Sequence, residues 1–289
     1  MEWYIIAIGS ALFSAFAAIL EKKILFKEKA LSFSVLLAIF NFIIAIPFFF
    51  FISFQEVTIS SLLVLFFKEI LDAAAFLCIM ITLKNMEISK ALPLLVITPA
   101  LVAIFSFIFL QEALTTIQIS GMILILIGTY VLQTEKNQNL LNPWKAFFKN
   151  KSYYYILTAL ILFTITSVLD KSLLKNFKLP VNAFIGFQHL FLAIIFLGII
   201  LFSGKSKQLK HTFKFSWQLI FLLGLITITY RYLQISAVKD APVALVLSLK
   251  RTSVFFATLI GGTLFKDKNL LIRTIATAIM TLGAILIII

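Results

Sequence analysis

Apolar residues run in stretches of about 20 along nearly the whole chain, the length a helix needs to cross a hydrocarbon core roughly 30 Å thick. Short polar or proline-bearing segments separate them, and no segment alternates apolar and polar positions as a membrane β-barrel would. The pattern predicts an all-α polytopic membrane protein with ten transmembrane helices. They lie near 3–21, 34–54, 60–83, 90–110, 115–133, 153–174, 182–203, 215–236, 242–264 and 270–288. Trp3, Tyr4, Tyr153, Tyr154, Tyr155 and Trp217 fall at span starts, where amphipathic rings favour the membrane–water boundary. Pro93 and Pro99 predict a kink or break in the fourth span. Pro242 opens the ninth, where its missing N–H costs nothing.

The longest polar stretch, 134–152, divides the chain into a first five-helix unit, 1–133, and a second, 153–289. Within it Leu141, Trp144, Phe147 and Phe148 oppose Lys145, Lys149 and Lys151, the pattern of a segment lying in the membrane interface. The two units repeat. Ile19–Leu25 (ILEKKIL) answers Val168–Leu174 (VLDKSLL), and Met86–Leu92 (MEISKAL) answers Lys239–Leu245 (KDAPVAL). Leu110-Gln111-Glu112 with Gly128 answers Phe265-Lys266-Asp267 with Gly283. Five spans is an odd number, so the second repeat enters the membrane inverted relative to the first. Inverted repeats of this kind mark transporters whose substrate site lies near the midplane, between the repeats.

Composition agrees. The chain is 62% hydrophobic and only 13% charged, with a mean hydropathy of +1.09. Its net charge of +13 would suggest nucleic acid in a soluble protein, but here the lysines lie between spans and set topology, so no nucleic-acid partner is expected. The loops after odd-numbered spans, with the helix ends that border them, carry 17 Lys and Arg; the remaining loops carry Lys175, Lys178 and Lys239. This places the odd-numbered loops in the cytoplasm and both termini outside. Ala15-Phe16-Ala17 resembles a cleavage site, but no positive segment precedes it, so the first helix is expected to be retained. Cys78 stands alone and predicts no intrachain disulfide. There is no Gly-rich phosphate loop, no nucleophile elbow and no metal-ligand spacing, so no catalytic residue, metal or cofactor is expected.

The chemistry lies in charges placed inside spans. Lys250 and Arg251 stand mid-span in the ninth helix, where each charge costs roughly 2.5–3.5 kcal/mol to insert. Arg can hold a phosphate or carboxylate with two parallel bonds, and Lys adds a mobile point charge. Substrate contact is the expected role, with pairing to a third-span carboxylate as the rival. Thr227, Arg231 and Gln234 form a polar stripe on the eighth span beside Tyr230 and Tyr232, with Arg231 placed to reach the helix end. Lys68, Glu69 and Asp72 cluster on the third span, either as a self-neutralising Lys68–Asp72 pair or as a proton site. Asp170 and Lys171 repeat Glu21 and Lys22 and are expected to form an ion pair closing the helix end. Asn41 and Gln188 occupy equivalent places in the two repeats and, with His189, can offer hydrogen bonds to a cavity.

These features together resemble the EamA family of the drug/metabolite transporter superfamily. The resemblance rests on the two five-helix repeats, on Glu112 and Asp267 closing each fourth repeat helix, and on Gly121, Gly128 and Gly283 in the last helices. The run Leu247–Ser253 (LSLKRTS), followed by Gly261-Gly262 and Phe265–Lys268, is similar to a subgroup with a basic pair in helix nine. That pair is also similar to one with which sugar-phosphate translocators bind phosphate. The resemblance implies a ten-helix alternating-access carrier with a central cavity, moving a small-molecule substrate across a lipid bilayer; the sequence leaves both a monomer and a homodimer open. It implies cytoplasmic termini, against the lysine distribution, which we take as the stronger guide; the cell membrane is the expected location. The first repeat has no basic pair near Ile97-Thr98, so the cavity is expected to be chemically one-sided. The leading expectation is a secondary transporter of a small anionic or zwitterionic metabolite, phosphorylated ones included. Its alternatives are a proton-coupled exporter of amino acids or amphipathic compounds using Glu69 or Asp72, and a lipid-handling or scaffolding protein that binds a lipid phosphate.

Overall fold

The computed structural model describes residues 2–85, 97–133, 151–204, 206–253, 256 and 270–289. Among them every regular element is helical. In chain order these are α1 (Trp3–Leu25), α2 (Ala30–Ala45), α3 (Ile59–Asn85), α4 (Thr98–Leu110) and α5 (Thr116–Gln133), then α6 (Lys151–Lys175), α7 (Val181–Phe202), α8 (Ser206–Asp240), α9 (Val243–Lys250) and α10 (Leu270–Ile288). Five are long and apolar enough to cross a membrane: α1, α2 with its 3-10 extension to Phe51, α6, α7 and α8. The apolar segments of α4, α5 and α10 are shorter. α3 is 27 residues long but carries Lys68, Glu69 and Asp72 within two turns.

Several boundaries differ from the expected ones for local reasons. Pro47 tightens the end of α2 into a 3-10 turn, because a proline cannot donate to the helical ladder. Pro99 occupies the first turn of α4, where no N–H is needed. α8 runs well beyond the expected 215–236 at both ends. α9 closes at Lys250, with Arg251 and Thr252 in a turn. The Met86–Leu92 motif, Pro93, most of the 134–152 linker, Val254, Gly261-Gly262 and Phe265–Lys268 (with Asp267) lie outside the described residues.

The helix pairings obey a simple exchange. α1 packs on α8 and α3 on α6; α2 packs on α8 and α7 on α3; α4 packs on α6 and α9 on α1. Replacing each helix by the one five later, or five earlier, turns one member of each couple into the other. The pairs α2–α7, α4–α9 and α5–α10 map onto themselves. α5 and α10 touch backbone to backbone: a Cβ added to Gly121 would lie 2.6 Å from the Gly283 carbonyl oxygen, and one on Gly283 would lie 2.6 Å from that of Gly121. Small residues permit such crossings where no hydrophobic force draws helices together in lipid.

Polar links tie the ends of the helices. Lys22 of α1 donates to the Leu83 carbonyl at the end of α3 (2.6 Å). Its repeat equivalent, Lys171 of α6, donates to Val238 (2.7 Å) and Ala241 (2.8 Å) at the end of α8. Both lysines neutralise carbonyls that a helix C-terminus leaves without partners. Buried Glu28, in the α1–α2 connection, accepts hydrogen bonds from Thr212 (2.7 Å) and Ser216 (2.6 Å), one turn apart on α8.

Candidate functional site

Asp72 of α3, Asp170 of α6, Arg231 of α8 and Lys250 of α9 line one cavity of about 280 Å³. α1, α2 and α7 supply most of the remaining wall. Phe76, Phe163, Leu192 and Phe196 give part of it an apolar surface, while Glu21, Asp72, Asp170, Arg231, Lys250 and Arg251 supply charge. Apolar walls with a few convergent polar groups are the usual composition of a small-molecule site.

Behind one wall lies a buried ionic cluster. The Lys68 ammonium, fully buried, lies 2.7 Å from Glu69, 2.7 Å from Asp72 and 2.9 Å from Asp170, with the Phe184 ring 5.4 Å away. The Lys68–Asp72 pair read from the third span is therefore present, but Glu69 and Asp170 join it. Asp170 spends its second oxygen on Arg231, at 3.1 Å, and Arg231 also donates to Gln188 at 2.9 Å. One network thus joins α3, α6, α7 and α8. A buried charge survives only when it is paired and hydrogen-bonded, and here each cation has more than one acceptor.

Two expectations fail here. Asp170 and Lys171 do not close the helix end as a pair. Neighbours on a helix point about 100° apart; Asp170 turns into the cluster, while Lys171 turns to the carbonyls of α8 and to Glu112, 3.4 Å away. Glu112 also accepts a hydrogen bond from the Val243 N–H at the start of α9 (3.2 Å). Arg231 does not reach for the helix end. α8 continues to Asp240, which puts Arg231 deep enough to turn inward to Asp170.

The ninth-helix pair faces the same cavity. Lys250 donates to Gln234 (2.5 Å) and sits 4.6 Å above the Tyr230 ring, a cation–π contact that part-compensates its desolvation. Arg251 makes no side-chain hydrogen bond or ion pair among the described residues, although it lines the cavity. The expected rival partner, Asp72, is held by Lys68 instead. Tyr232 turns away to pack on Phe48. Asn41, Gln188 and His189 all line the cavity, as the repeat comparison suggested.

Glu21, Ser34 and Thr166 also line it and were not singled out in the sequence. Glu21 was legible: it aligns with Asp170 in the repeat, but its place near a helix end made it look like a partner for Lys22. With Glu21 included, the cavity and the cluster behind it hold, among the described residues, four cations, Lys68, Arg231, Lys250 and Arg251. Four carboxylates answer them, Glu21, Glu69, Asp72 and Asp170. The basic excess expected of the spans is cancelled at the site.

A family model described as the EamA-like transporter family matches residues 1–134 and 150–289. The chain belongs to the EamA-like transporter family. That makes it a membrane transporter of the drug/metabolite type, acting on a small molecule in a membrane setting, as the sequence motifs implied. The family's two matched segments coincide with the two halves on either side of the polar stretch. A solved crystal structure, 17% identical, superposes with a TM-score of 0.73 over 99% of this chain and 96% of its own. At that identity the likeness is one of fold. No curated protein matches the chain.

Proposed function

We propose that this EamA-like protein is a secondary carrier that moves a small anionic or zwitterionic metabolite by alternating access. In this reading it has ten transmembrane helices in two inverted repeats, 1–133 and 153–289, joined by the interfacial segment 134–152. The odd number of helices per repeat and the exchange rule of the helix pairings support the inversion. The ion pair of Lys68 and the carbonyl links of Lys22 and Lys171 hold the scaffold. Lys250 and Arg251 hold the substrate's acidic group, with Arg231 and Gln234 beside them.

The observation that carries this reading is Arg251. A guanidinium facing a cavity, with no protein acceptor among the described residues while Lys68 and Arg231 each have more than one, is best matched by an anion from outside. Arg251→Ala should weaken the favoured anion about 10- to 100-fold, since a charge-assisted hydrogen bond contributes roughly 1.5–3 kcal/mol. Thermal-shift titration of the purified protein with phosphorylated sugars, nucleotides and carboxylates measures this. If no anion stabilises the wild type more than the variant, the reading fails.

One observation favours proton coupling as a second reading. Three carboxylates crowd the Lys68 ammonium, and Glu69 Oε2 is buried without a hydrogen-bond partner, leaving an oxygen able to take a proton. Glu69→Gln should then uncouple flux from a pH gradient while leaving substrate binding within about threefold of wild type, as expected for a group that exchanges only a proton. Proteoliposome flux that follows the gradient equally in both proteins would rule this out.

A further inference from the structure

On α2 and α7 the cavity is also lined by buried polar groups that the described residues leave without partners. Ser34 and Asn41 stand two turns apart on α2, and His189 stands on α7, which packs against α2. All three are more than nine-tenths buried and line the cavity. Among the described residues, the Ser34 hydroxyl, the Asn41 carbonyl oxygen and both ring nitrogens of His189 have no hydrogen-bond partner. Several helical hydroxyls bond back to the carbonyl four residues earlier, as Thr129 (2.7 Å), Thr164 (2.8 Å) and Ser248 (2.8 Å) do; Ser34 does not.

Buried polar groups are costly when unpaired, and several on one cavity wall point to a ligand that pairs them. Their chemistry defines that ligand. The Asn41 oxygen needs a donor; the Ser34 hydroxyl can give and accept; a neutral imidazole gives one hydrogen bond and accepts one. A bare carboxylate or phosphate only accepts and cannot answer this set, and an ammonium only donates. Hydroxyl groups do both.

We propose that Ser34, Asn41 and His189 form a hydroxyl-reading subsite, and that the substrate is a polyhydroxylated anion. Its acidic end meets Lys250 and Arg251, and its hydroxyl-bearing body lies against α2 and α7. The proposal rests on the carrier reading above and narrows its substrate class.

The test uses matched probes that differ only in hydroxyls: gluconate against hexanoate, and glucose 6-phosphate against hexyl phosphate. Affinities are measured by calorimetry on the full chain in nanodiscs. The wild type should prefer the hydroxylated member of at least one pair by about tenfold or more, because a site built to bond a hydroxyl rejects an analogue that lacks it. Ser34→Ala/Asn41→Leu/His189→Phe should erase that preference. Its ligand-free melting temperature should not fall, since the replaced groups have no protein partners to lose. A wild-type preference below tenfold in both pairs, or a preference that the triple variant keeps, overturns the subsite. So does a ligand-free variant that melts well below wild type, which would show that these groups hold the fold. If Arg251→Ala still weakens any of the four anions, the carrier reading survives that loss. If none of the anions binds and Arg251→Ala changes nothing, both fall. The pair that shows the preference tells a carboxylate from a phosphate as the acidic end.

Discussion

Lys68→Met should be the most damaging single change in the chain, lowering stability by about 3–5 kcal/mol, the usual cost of leaving one side of a buried ion pair uncompensated. The fully buried ammonium serves Glu69, Asp72 and Asp170 at 2.7, 2.7 and 2.9 Å. Without it Arg231 answers Asp170 alone, and the other two carboxylates face a cavity wall with no cation bound to them. Thermal unfolding in nanodiscs and the yield of monodisperse protein measure the loss. Lys68→Met/Glu69→Gln/Asp72→Asn should recover most of it, because the charges that needed the ammonium are gone. A Lys68→Met protein that melts with the wild type would show that the network contributes nothing to the fold.

The second large effect lies far from the cavity, at the α5–α10 crossing. Gly121→Val places a Cβ 2.6 Å from the Gly283 carbonyl oxygen, 2.9 Å from Leu286 Cβ and 3.0 Å from Ile287 Cγ1. The first obstacle is backbone, so no rotamer relieves it, and the helices must separate. Overpacking of this kind costs about 1–3 kcal/mol, and a backbone obstacle puts this case at the upper end. Gly283→Val meets the mirror-image obstacle, the Gly121 carbonyl at 2.6 Å, and should cost as much. Gly198→Ala is the control: nothing lies within 4 Å of its added Cβ, so helix propensity alone should leave it neutral or about 1 kcal/mol more stable. Equal melting temperatures for Gly121→Val and wild type would mean that the two helices do not depend on this contact.

Much of the helical architecture could be read from the chain because long apolar runs admit few other structures. The fine boundaries could not. Pro47 and Pro99 act through their exact places in a turn, which hydropathy does not report, and α8 extends into a lysine-rich stretch held by Glu28, a partner 184 residues away from Thr212. At the site, Lys250 and Arg251 were legible because charge inside a span demands a reason. The direction of each charge was not. Asp170 and Lys171 are neighbours in sequence and serve different helices, and only packing decides which way each turns. Glu21 and Ser34 were hidden for opposite reasons: one near a helix end looks solvated, and a serine inside a helix normally answers its own backbone.

The matched set of four cations and four carboxylates has an electrical meaning. Moving one elementary charge across a membrane costs roughly 2.3 kcal/mol for every 100 mV of potential. In the proposed carrier cycle, with all eight groups ionised, the described residues of the unloaded site sum to zero, so a return stroke would displace no net charge. The membrane voltage then acts on the cargo alone, and the current per turnover, recorded on a supported membrane, reads the substrate's own valence directly.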